Sequence, residues 1–265
     1  MRETCGTFVL PVMRIYLLLV VVFLFASCRP EKEKEKDIPQ GNVPVQLRVG
    51  AQVGDEEFQV GQVYRSATDY RFRVETFQLY LSMIELVDAQ GHGHLVRDFV
   101  LINMDDGLFL EFSVPPGDYA AVQFHQGIPV EYNKNVDPTT YPNSHPLSVQ
   151  GSNGMFWTWN TGYIFTRFDG KADLDGVEGN PLMDPFAFHT GDDPLLRTIS
   201  LPLNNVAFKS GVMRSLSVVI QINSILDHPV DPIDIAIDNL THTGGNFILA
   251  RRFVDNLSDS YLLVE

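Results

Sequence analysis

Two short segments carry the side chains best suited to chemistry. The first, Asn153-Gly-Met-Phe-Trp-Thr-Trp-Asn-Thr-Gly-Tyr-Ile-Phe165, holds both tryptophans of the chain. On an unbroken strand Met155, Trp157, Trp159, Thr161, Tyr163 and Phe165 share one face, because successive side chains alternate. Such a row either fills a core, its indole N–H groups finding acceptors, or stacks on a flat ligand. A bulge at Asn160-Thr161-Gly162 switches the faces partway along. The second segment, Pro185-Phe-Ala-Phe-His-Thr-Gly191, ends an apolar strand in His189 just before a turn. A histidine in that place is ordinarily a hydrogen-bonding turn residue, and a metal role requires partners. Cu(I) accepts two near-linear imidazoles with a soft third donor. Spacing alone identifies no partner histidine; His189 with His125 and the polarizable Met155 supply that set if their strands converge.

The remaining histidines read as solvent-facing. His125 sits in Phe124-His-Gln-Gly127, offset from the apolar face of its strand, while His92 and His94 flank a hairpin tip. His145 lies in a Pro-rich loop, and His228 and His242 fall in late loops. No Ser-His-Asp, paired-carboxylate or Cys-His arrangement stands in a recognisable context, which points to binding rather than turnover. The acidic run from Asp169 to Gly176 fails as an EF-hand, because Lys171 and Leu182 occupy its first and twelfth positions. With 19 Lys plus Arg against 33 Asp plus Glu, the net charge of −14 argues against a nucleic-acid partner. Cys5 and Cys28 are the only cysteines, too few for a disulfide scaffold, a zinc ribbon or an iron–sulfur protein.

These residues must be held by a frame, and the chain supplies one after an N-terminal address. Arg14, the unbroken apolar run 15–25 and the small pair Ala26-Ser27 before Cys28 have the order of a secretory signal. The small pair ending in cysteine resembles a lipoprotein processing site. Residues 1–27 are therefore expected to be removed and Cys28 to become the lipidated first residue, anchoring the protein to the outer membrane. Residues 28–42, rich in Lys and Glu, cannot bury anything and read as a solvated tether. From Val43 onward the apolar period is two: Val45-Gln-Leu-Arg-Val49, Tyr70-Arg-Phe-Arg-Val74 and Phe77 to Val87 alternate as half-buried strands do. Further strands are expected at 95–104, 119–124, 156–168, 195–203, 214–225 and 247–254, divided by Gly, Pro and Asn turns. No segment shows helical spacing over three turns. The expected fold of residues 43–265 is all-β, a single antiparallel β-sandwich of the immunoglobulin or cupredoxin kind, with barrel closure as the variant. The long Pro-rich stretch 127–154 is placed to line a site.

The box Gly154-Met-Phe-Trp-Thr-Trp-Asn-Thr-Gly-Tyr-Ile-Phe165, with Phe168-Asp-Gly170 and Phe188-His-Thr-Gly191 after it, resembles the MbnP-like family. The strand Phe77-Gln-Leu-Tyr-Leu-Ser82, the turn Val114-Pro-Pro-Gly-Asp-Tyr119 and the ending Phe124, Gly127, Ile128 extend the likeness over most of the chain. The resemblance implies an exported β-sandwich-like domain holding copper through histidine. It also implies an oxidised tryptophan, kynurenine, at Trp157 or Trp159, and a dihaem peroxidase or an outer-membrane transporter as partner. His189 matches the motif histidine. The chain departs from methanotroph-type members at Phe156, where they often carry a histidine, and at Thr190-Gly-Asp-Asp-Pro194. A non-enzymatic recognition module, its Trp pair binding a ligand or partner protein, is the alternative. With no thiolate left in the mature domain, any copper site in it is built from imidazole, thioether or oxygen donors.

Overall fold

The computed structural model describes residues 42–157 and 162–265. The signal segment, Cys28, the tether up to residue 41 and Trp159 lie outside the described residues.

Two sheets form the frame. One contains β1 (Val43–Val53), β2 (Glu56–Glu57), β6 (Leu108–Val114), β13 (Arg214–Gln221) and β15 (Tyr261–Val264), with β1 at its centre beside β13, β6 and β2. The other runs in the order β12 (Arg197–Phe208), β7 (Gly117–Gln126), β4 (Arg71–Asp88), β10 (Thr166–Asp173), β11 (Asp184–Thr190), β14 (Leu240–His242). Strands β3 (Val63–Arg65) and β5 (Gly93–Asn103) also pair with β4. The alternation seen in the sequence sets which faces meet. On β1, Val43, Val45, Leu47 and Val49 are buried, and on β4, Phe72, Val74, Phe77, Leu79 and Leu81 join the same core. Neither sheet closes into a barrel among the described residues.

The all-β sandwich is as expected, but its mainly antiparallel sheets include two parallel pairings, β1 with β13 and β11 with β14. Two expectations are corrected. The segment expected as a strand at 247–254 is the helix α3 (Phe247–Asp259), which follows two one-turn helices, α1 (Val130–Asn133) and α2 (Ile222–Leu226). Its buried residues Leu249, Ala250, Phe253, Val254 and Leu257 recur at helical spacing, and the Asn246 side chain caps it by accepting from the Leu249 N–H. Phe253 stacks on Phe188 with ring centroids 4.9 Å apart, fastening the helix to the core face of β11. Second, the Trp segment is not one strand. Its β8 (Phe156–Trp157) and β9 (Gly162–Tyr163) pair antiparallel, Phe156 opposite Tyr163 and Trp157 opposite Gly162. Trp157 and Tyr163 thus stand on two arms of a ribbon.

The outer face of the larger sheet carries a second apolar cluster. On β4 the residues alternating with the core set point outward, and Tyr80 packs there with Phe99, Ile128, Leu147, Met155, Trp157, Tyr163, Ile164 and Phe165. Stretch 127–154 covers this cluster rather than lining an open cleft. Buried phenols tie the cover down: Tyr80 donates to the Pro146 carbonyl at 2.8 Å and Tyr163 to the Leu147 carbonyl at 2.5 Å.

Candidate metal centre

His189 lies on β11 between Phe188 and Thr190, both fully buried on the core side, so its imidazole points to the outer face. Two neighbouring strands bring it partners. β10 places Arg167 opposite His189, and Asp169 follows two residues on, facing the same side. β14 sets His242 opposite His189 in parallel register. The result is a compact polar group. His189 Nε2 is 2.7 Å from Asp169 Oδ1, and Arg167 Nε donates to Asp169 Oδ2 at 2.7 Å. The two imidazoles stack with centroids 4.7 Å apart and planes 13° from parallel.

The local backbone is fixed around this group. The Thr243 hydroxyl donates to the His189 carbonyl at 3.2 Å and accepts from the Gly191 N–H at 3.0 Å, tying the ends of β11 and β14 together. Gly191 continues the His189 face and supplies room. A Cβ there would stand 2.9 Å from Trp157 Cζ3 and 3.2 Å from Cη2, so the indole six-membered ring lies against the Gly191 backbone. Trp157 therefore packs beside Gly191, which is two residues, or about 7 Å, along the strand direction from His189.

The electrostatics favour a neutral His242 beside an ionised carboxylate. Burial pushes the His242 pKa below its ordinary value and the charge of His189 adds to this, against the opposing pull of Asp169. For Asp169 burial acts upward, but hydrogen bonds from His189 and Arg167 outweigh it and hold the carboxyl below the ordinary range. A neutral imidazole keeps a nitrogen lone pair available to a metal ion.

The structure separates His125 from His189. His125 is on β7, three strand spacings from β11, so its backbone is at least about 14 Å from His189. It hydrogen-bonds instead to the Thr198 hydroxyl at 2.9 Å. Met155 is fully buried in the second apolar cluster. The set His189, His125 and Met155 is therefore not brought together, and His242 takes the neighbouring place. His242 reads as a late-loop residue because its strand is three residues long and pairs with a segment some fifty residues earlier. One signal could have found it: His-Thr-Gly occurs twice, at 189–191 and 242–244. As they stand, no group of three or more His, Cys, Asp or Glu among the described residues is arranged to hold a metal ion. The stacked rings keep their in-plane lone pairs roughly parallel, and sharing one ion requires a ring to turn. His242 lies on an edge strand with its residue exposed.

Two packed sheets carrying a paired-histidine, carboxylate and indole group on an outer face define a β-sandwich with a small polar centre. The family model for MbnP matches residues 42–243, and the chain belongs to that family. Among solved structures, MbnP from Methylosinus trichosporium is similar with a TM-score of 0.48 at 15% identity, covering 72% of this chain and 80% of that one. No curated protein matches the chain.

Proposed function

We propose that the protein holds copper at the cell envelope and hands it on without catalysing a reaction. The observation that carries this reading is the His189–His242 stack beside Asp169, with Trp157 packed beside Gly191 two residues along. Family membership adds the expectation of copper. Imidazoles suit copper, and a pair without thiolate suits an exported protein whose mature domain lacks cysteine. His189 and His242 would hold the ion, and copper bound there supplies a soft, redox-capable centre. Asp169 orients His189 through its ring nitrogen, the role that outer carboxylates play around metal-bound histidines. Arg167 keeps that carboxylate ionised and in place. Trp157, or Trp159 beyond the described ribbon, is the residue whose oxidation to kynurenine would add a donor, and a dihaem peroxidase is the class of partner able to effect it. Lipidation at Cys28 would keep the domain at the outer membrane.

The recognition-module reading draws no support from Trp157. That indole is only 7% exposed and packed against Gly191, so it offers no open face for a ligand. Two measurements test the copper reading. Copper analysis of the full chain from its own host after equimolar loading should give bound copper; none retained overturns the proposal. Mass spectrometry of the peptide carrying Trp157 and Trp159 should show the kynurenine mass, and unmodified tryptophan in a copper-loaded protein removes the oxidised donor from the account.

A further inference from the structure

The β4–β5 hairpin carries a second cluster of metal-ligating side chains, remote from the first. Gln78 of β4 lies opposite Arg167, and Arg167 opposite His189, whereas Asp88 ends β4 ten residues further on. At about 3.3 Å per residue the tip is roughly 30 Å from His189. There the turn Asp88-Ala-Gln-Gly-His-Gly93 and the next residue, His94, place two imidazoles about one carboxylate. His92 Nδ1 is 3.2 Å and His94 Nε2 3.6 Å from the same atom, Asp88 Oδ2.

We propose that Asp88, His92 and His94 form a site for a borderline divalent ion of the zinc class, with a fourth position open to water or to a donor from a partner. Ligand separations support this. Around a tetrahedral ion with bonds of about 2.0–2.1 Å, donor atoms stand about 3.3–3.4 Å apart. The two separations from Oδ2, 3.2 and 3.6 Å, bracket that value. Two of the three donors are also preset. Asp88 Oδ1 accepts from the backbone N–H groups of Gln90 at 2.9 Å and His92 at 2.8 Å, which leaves Oδ2 directed at the imidazoles. His94 rests edge-on against Tyr119 at 5.4 Å, and Tyr119 is itself held by its hydroxyl on the Pro115 carbonyl at 2.9 Å. The third, His92, is 77% exposed at the tip and turns to close the set. That turn is needed, because the three do not enclose a common point as they stand.

Donor chemistry selects the ion class. Two imidazoles and one carboxylate suit zinc or nickel better than calcium or magnesium, which prefer all-oxygen shells. The site differs from the His189 centre in ligands and place, so it stands or falls separately. The test is calorimetric titration of the full chain with zinc chloride, in wild type, in H189Q/H242Q and in H92Q/H94Q. Wild type and H189Q/H242Q should each retain a one-equivalent zinc site assigned to the tip. H92Q/H94Q should weaken that site by at least the roughly 10–100-fold that loss of an outer-shell partner costs. His92 and His94 lie at the tip, and a circular dichroism melt matching wild type confirms that the double variant folds. Zinc binding unchanged in H92Q/H94Q, or absent from folded wild type, overturns the proposal.

Discussion

Replacing Gly191 by alanine tests how the Trp157 indole is seated at the end of β11. Gly191 has no need of a positive φ; what it supplies is space. An added Cβ would come within 2.9 Å of Trp157 Cζ3 and 3.2 Å of Cη2, and it would overlap the Tyr163 carbonyl. The ring is enclosed in the second cluster and the carbonyl is backbone, so neither side yields freely. Overpacking of this kind costs about 1–3 kcal/mol. For a folded unit of this size each kcal/mol lowers Tm by about 2–4 °C, giving an expected fall of about 2–12 °C for G191A. The assay is urea denaturation followed by tryptophan fluorescence, with a calorimetric Tm beside it. Trp157→Leu removes the two ring atoms concerned, so the G191A penalty should shrink in that background. The double-mutant cycle should show coupling of about 0.5–3 kcal/mol, and the penalty that remains belongs to the Tyr163 carbonyl. G191A within about 0.5 kcal/mol of wild type, the range of an ordinary surface change, would refute the packing of Trp157 on β11.

Asp169→Asn removes the charge that orients His189 and should weaken copper binding by about 10–100-fold, as read by chelator competition, and it should lower Tm because the partly buried carboxylate partners both His189 and Arg167. Phe253→Ala deletes the ring stacked on Phe188 and should destabilise by about 3–5 kcal/mol in urea denaturation. Asn246→Ala, which removes the cap of the same helix, should cost about 0.5–2 kcal/mol. Stability should also fall in mild acid. The His242 pKa is depressed in the fold, by burial first, so the unfolded chain binds the proton better; the same holds for His145, again through burial. Their contribution is complete above the unfolded value near 6.5 and declines as pH falls through it. Urea midpoints taken from about pH 7.5 down to about pH 5.5 should decrease, and H242Q should flatten part of that slope.

The strands were legible where one face is buried. Val43 to Val49 alternate and so select a core side, whereas Phe77 to Ser82 are buried on both faces, Tyr80 in the second cluster. Helix α3 was obscured by composition: Phe247-Ile-Leu-Ala begins with four consecutive apolar residues, and the helical spacing emerges only with Phe253, Val254 and Leu257. The parallel pairings were hidden for another reason, since register between distant segments leaves no local pattern. That is why His242 escaped notice while His189, ending an apolar strand before a turn, did not. His125 was readable as a strand histidine, but the order of strands, which puts β4 and β10 between it and His189, was not. The Trp segment misled in a similar way, because a strict two-residue period over 155–165 reads as one strand where the chain forms a ribbon.

The central claim is that His189 and His242 together hold copper. Its most direct measurement is Cu(I) affinity by competition with a chromophoric chelator, on full-length protein from its own host. Wild type is compared with H189A, H242A, H125A and M155L. The account predicts one tightly bound equivalent in wild type, its loss in both H189A and H242A, and its retention in H125A and M155L. Copper held as tightly by H189A or H242A as by wild type would contradict it.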